Sequence, residues 1–209
     1  MNTSRADELQ DRVFGACMIA APLLLLLSSV AYWTGGGPDS STLGASIQVY
    51  AMFLFIPVVL GLSRLLWARA PRLAVAGRLL AIFGCVGGVG YGVARAFQAA
   101  AEQAGLGEAA LAELARIYDF GLPLILNLPG VIFPLSMALL GVALWRTRAV
   151  PAWVGLLLAL AGVGFPISRI PELQLLYYVA DGLFIASLGW IGLRNFLSPA
   201  AAKTGTEVA

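Results

Sequence analysis

Apolar residues along this chain gather into six long runs, separated by short stretches that carry most of the arginines and acidic residues. The runs extend approximately from Val13 to Trp33, Leu43 to Trp67, Val75 to Ala99, Phe120 to Trp145, Pro151 to Ser168 and Leu173 to Leu193. A helix rises 1.5 Å per residue, so a bilayer core of ~30 Å needs about 20 mostly apolar residues, and each run is near that length. The pattern predicts an all-α polytopic membrane protein: a bundle of six transmembrane helices, with residues 1–12 ahead of it and 197–209 after it.

Basic residues are distributed unequally between alternate connections. Arg5, Arg12, Arg64, Arg69, Arg72, Arg78, Arg146, Arg148, Arg194 and Lys203 fall on one side of the six spans, against Arg95, Arg116 and Arg169 on the other. Short loops rich in arginine and lysine stay in the cytoplasm, so both ends are expected there, N-in and C-in. Arg5 and Arg12 ahead of an apolar run, with Ser29-Val30-Ala31 at its end, loosely resemble a secretory signal, but the run is long for one and helix 1 is expected to be retained. Between the third and fourth runs, Gly107 to Tyr118 reads GEAALAELARIY, with Leu111, Leu114, Ile117 and Tyr118 at helical spacing. This predicts either a short interfacial helix or an extension of a neighbouring span.

Composition narrows the chemistry. With 60% hydrophobic and 11% charged residues and a mean hydropathy of +0.87, lipid must be the solvent. A net charge of +2 without a basic cluster argues against nucleic acid as a partner. The chain has no histidine, which removes the commonest ligand of haem and zinc and the commonest general base, so neither a metal nor a cofactor is expected. Cys17 and Cys85 lie inside apolar runs, as do Met18 and Met52, and are expected to pack. The one lysine, Lys203, lies outside every span, which excludes a retinal Schiff base.

Three patterns inside the runs bear on packing and on a site. Gly84, Gly88 and Gly92 repeat every fourth residue on helix 3 and form a small-residue face, for a neighbouring helix of this chain or for a second copy in a homo-oligomer. Leu66-Trp67 leading to Pro71, and Leu144-Trp145 leading to Pro151, give the second and fourth connections a common look, which either an old hairpin duplication or chance in an apolar sequence explains. Helix 4 carries Pro123, Pro129 and Pro134, with Asn127-Leu128-Pro129-Gly130 in its outer third, and a kinked or broken helix beside a cavity is expected.

The fourth connection, WRTRAVPAW from Trp145 to Trp153, followed by a Gly- and Leu-rich span and an acid in the last helix, resembles a family of uncharacterised six-helix bacterial membrane proteins with a domain of unknown function. The family's loop reads Arg-x-x-x-Pro-x-Trp; Trp153 and Asp181 match it, whereas Arg148 stands closer to Pro151. The likeness covers the last third of the chain. It implies a six-helix fold in a bacterial inner membrane and carries over neither an activity nor a functional residue.

Ionisable groups within lipid are costly and mark sites. Arg95, Asp119, Arg169, Glu172 and Asp181 all fall in the outer half, Asp181 some two turns into helix 6. Together they suggest an outward-facing polar pocket for a small molecule or lipid, lined by Arg95, Asp119, Asn127, Arg169 and Asp181 with Tyr91, Gln98, Tyr177 and Tyr178 at its walls. In that picture Arg95 takes an anionic group and Asp181 is its counter-charge or proton carrier. The pocket would suit a transporter component. An intramembrane enzyme with Asp181 as general acid, or a structural subunit in which Arg95 pairs with Asp181 or Asp119, are the alternatives.

Overall fold

The computed structural model describes residues 3–38, 40–107, 109–110, 112–113, 116 and 128–198. Six long helices account for most of them: α1 (Thr3–Thr34), α2 (Thr42–Trp67), α3 (Pro71–Gln103), α4 (Leu128–Arg146), α5 (Ala152–Arg169) and α6 (Gln174–Ile191), the last continuing as a π-helical turn, Gly192–Leu197. Among the described residues there is no strand. Five of the helices are long and apolar enough to cross a membrane. In the fourth, the apolar part described, Gly130–Arg146, is shorter, because the first eight residues of the expected span lie outside the described residues. Of the Gly107–Tyr118 stretch, Ala109, Ala110, Ala112, Glu113 and Arg116 are helical. Arg116 bonds Glu113 one turn back at 2.7 Å and holds that carboxyl below its usual range.

Local chemistry sets the helix ends. Ser41 caps α2 by accepting from the Gly44 amide at 3.1 Å, and Pro71 opens α3, where a missing amide hydrogen costs nothing. Arg148 and Glu172 turn the chain after α4 and α5 with φ of 54° and 52°, a left-handed conformation usual for glycine.

Each helix packs on its neighbours in sequence, and α6 returns to α1, so the six close into a ring. The ring is filled by aromatic side chains rather than left as a pore. Phe55, Phe133, Phe165 and Phe184, from α2, α4, α5 and α6, meet mostly edge to face, with centroids 5.0 Å apart for Phe55–Phe133 and 5.5 Å for Phe133–Phe165. Met18, Met52 and Cys85 are buried, as expected of packing residues. The outward surface is apolar too: Leu27, Phe53, Leu79, Phe83, Leu135, Leu139, Leu160 and Val179 are all exposed. A fold apolar on both faces is stable only with lipid around it, which makes this a protein of membrane-spanning type.

Because lipid tails are as apolar as leucine, burial alone does not drive these helices together, and close van der Waals contact must. Gly84 lies against the Phe133 backbone of α4, while Gly88 and Gly92 lie against Met52 and Val49 of α2. The small-residue face of α3 is thus filled within the chain. A second seam, absent from the sequence expectations, joins α4 to α5: Gly141 abuts the backbone of Gly155 and Ala159, and Gly162 abuts that of Pro134 and Ala138.

Candidate functional site

One end of the ring carries the described arginines in the first turns of α1, at the end of α2, at the start of α3, at and just after the end of α4, and in the π-helical turn after α6, and these are mostly exposed. At the opposite end the charges are drawn inward. α5 and α6 are antiparallel and joined by a tight turn, so Arg169, the last residue of α5, reaches Asp181, the eighth of α6, about 10 Å down the helix. Arg169 Nη2 donates to Asp181 Oδ1 at 2.8 Å, and Ser29 Oγ of α1 donates to Asp181 Oδ2 at 2.5 Å. The Asp181 side chain is 0% exposed and the Arg169 side chain 12%. The guanidinium lies 3.7 Å over the Phe165 ring and 4.5 Å over the Tyr177 ring, and its Nη1 donates to Ser168 Oγ at 3.1 Å. Tyr177 in turn meets Trp33 edge to face.

Arg95 belongs to a second cluster. Its Nε donates to Tyr91 Oη at 2.8 Å, one helical turn back, and its Nη2 to Glu172 Oε1 at 3.1 Å. Beside both clusters Tyr32 donates to Gln48 Oε1 at 2.8 Å. Between them lies a cavity of about 320 Å³, lined by Gln48 and Met52 of α2, Gly88, Tyr91 and Arg95 of α3, Gly130, Val131, Phe133 and Pro134 of α4, Phe165, Pro166, Arg169 and Ile170 at the end of α5, and Glu172. Its floor is Met52, Phe133 and Phe165, the top of the aromatic core, and its rim is charged. Val131 and Ile170, 56% and 79% exposed, form its mouth. Pro134 has no N–H to offer the carbonyl of Gly130, which lines the cavity, so a helix backbone group there loses its ladder partner where a polar space can supply another.

Set against the sequence expectations, Tyr91, Arg95 and Arg169 come together around one cavity. Asp119 and Asn127 lie outside the described residues. Gln98 is half-buried on α3 without lining the cavity, and Tyr178 instead accepts from Gln174 at 3.2 Å. The expected pairing of Arg95 with Asp181 needs correction: Asp181 is the counter-charge of Arg169, and Arg95 bonds Glu172, while the alternative pairing of Arg95 with Asp119 lies outside the described residues. The helical hairpin decides this, since α5 and α6 are adjacent while α3 stands across the ring from α6. Asp181 therefore supports the site from behind and, with Tyr177, is absent from its lining. Gln48, Ser29 and Tyr32 were not anticipated. Gln48, the single amide of the Leu43–Trp67 run, was the legible signal among them.

Among the described residues these features define a helical, membrane-type ring with an amphipathic cavity at its less basic end. Comparison with protein-family models, with curated proteins and with solved structures finds no match for the chain.

Proposed function

We propose that this is a six-span membrane protein, N-in and C-in, that binds a small amphipathic molecule or lipid in the outward-facing cavity, as a binding protein or transporter component of a bacterial inner membrane. The observation that carries the reading is the cavity itself. Its size is at the lower end of the usual range for ligand pockets, it joins an aromatic floor to two arginines and a carboxylate, and its mouth is apolar. The exposed Val131 and Ile170 support entry from the bilayer rather than through water. The bias of arginines toward the far end supports the orientation.

A catalytic role for Asp181 has less behind it. Both its oxygens are engaged and it has no contact with the cavity, and Glu172, the one carboxylate lining it among the described residues, is held by Arg95. Native mass spectrometry of protein purified in a mild detergent tests the binding role. The wild type is expected to retain a bound molecule that Val131→Trp and Ile170→Trp, which plug the mouth without touching the core, exclude. Retention of the same molecule by both variants would move the site elsewhere. For the orientation, a membrane-impermeant maleimide should label Leu106→Cys but not Ala68→Cys in intact cells.

A further inference from the structure

Among the described residues around the cavity, the hydrogen-bonding capacity left over is of two opposite kinds. Arg169 has five N–H groups, of which one goes to Asp181 and one to Ser168; the other three make no hydrogen bond among the described residues. Its geometry is fixed by Asp181 in front and the Phe165 and Tyr177 rings on its faces, so the fork is pre-organised for an anion. Glu172, three residues on in the same turn, accepts from Arg95 with Oε1 alone, and its Oε2 accepts no hydrogen bond among the described residues. A ligand carrying both signs can use the Arg169 donors and the Glu172 acceptor together, which a purely anionic or purely cationic one cannot.

Resting on the proposed binding role, we propose that the cavity takes a zwitterionic amphiphile bearing a primary ammonium: its phosphate or carboxylate on Arg169, its ammonium on Glu172, and its apolar part over Phe133 and Phe165 toward the mouth at Ile170. A primary ammonium is required because Glu172 Oε2, which accepts no bond among the described residues, needs a donor, and a quaternary ammonium has none. The same headgroup chemistry occurs on an aminophospholipid and on a free apolar amino acid. At about 320 Å³ the cavity holds a headgroup and the start of one chain, not two whole chains.

The test is competition binding to the full chain in maltoside detergent, read by native mass spectrometry, with lysolipids of one common acyl chain carrying phosphoethanolamine, phosphocholine or phosphate alone, and with leucine as the free zwitterion. The phosphoethanolamine lipid or leucine is expected to bind about tenfold or more tightly than the phosphocholine lipid. Glu172→Gln should erase that preference while retaining binding. Arg169→Gln should lose the ligand, and since it leaves a buried carboxylate alone, the charge-neutral pair Arg169→Gln/Asp181→Asn should lose it in a folded protein. Preference for leucine over the lysolipids names the soluble source and the reverse names the lipid; either supports the headgroup chemistry. Equal binding of the ethanolamine and choline lipids, or tighter binding of the phosphate lipid, would overturn the ammonium assignment and leave a cavity that binds amphiphiles. No binding of any probe would overturn the cavity reading as well.

Discussion

The two ends of the helical ring use arginine in opposite ways. At the end where α1 begins, arginines lie on the surface: Arg12 bonds Glu8 on its own helix, Arg64 bonds Asp11 in the open, Arg69 reaches the Arg148 carbonyl and Arg78 stands over the Trp67 ring. At the other end Arg95 and Arg169 are largely buried, and each faces a carboxylate of the α5–α6 hairpin. Charge in water is cheap and individually dispensable, so at the first end only the number of arginines carries information, and it reports orientation. Charge in a low-dielectric interior must be matched group by group, so at the second end the identity of each partner matters, and that is where a ligand can be read.

The contrast is sharpest at Arg169. Arg169→Ala leaves Asp181 buried without its partner and is expected to cost about 3–5 kcal/mol of stability, much of it recovered in Arg169→Ala/Asp181→Ala. Denaturant unfolding in mixed micelles checks this, and a single-variant loss no greater than that of Arg64→Ala would dissolve the distinction between the ends. Packing in the middle of the ring should fall next in size. Gly84→Ala drives a methyl group into the Phe133 backbone and is expected to cost about 1–3 kcal/mol, whereas Gly130→Ala, which meets nothing within 4 Å among the described residues, should be near neutral in the same assay. Glu172→Gln breaks an ion pair that is 36% exposed on the acidic side, so a loss of about 0.5–1 kcal/mol is expected. The smallest effect belongs to the basic end: Arg64→Ala should cost at most about 1 kcal/mol, and that cost should fade as salt is raised.

The partial legibility of the site has a physical cause. Arg95, Arg169 and Asp181 stood out because any ionisable residue in an apolar run demands an explanation, and all three prove to be engaged at one end of the molecule. Which acid each arginine takes was not legible, because spacing along a chain does not say which helices become neighbours in a ring. Glu172 was visible as a loop acid, but only the left-handed turn at that position brings it to the rim opposite Arg95. The α4–α5 seam escaped notice because its small residues are split between two helices, Ala138 and Gly141 on one and Gly155, Ala159 and Gly162 on the other, with no helix showing a run of glycines like that of α3.

By itself, then, the sequence determined that lipid is the solvent, where the apolar helices run and which end is basic. Hydropathy, helix length and charge count are sums over local residues, and neighbours in space do not alter them. Tertiary structure alone decided that the helices close into an aromatic-filled ring, that Asp181 braces Arg169 while Glu172 faces Arg95, and that a cavity opens between them. Those depend on which helix faces meet, and in a bilayer that choice is made by close backbone approach and buried polar pairing rather than by hydrophobicity, since these helices are apolar on both their core-facing and their lipid-facing sides.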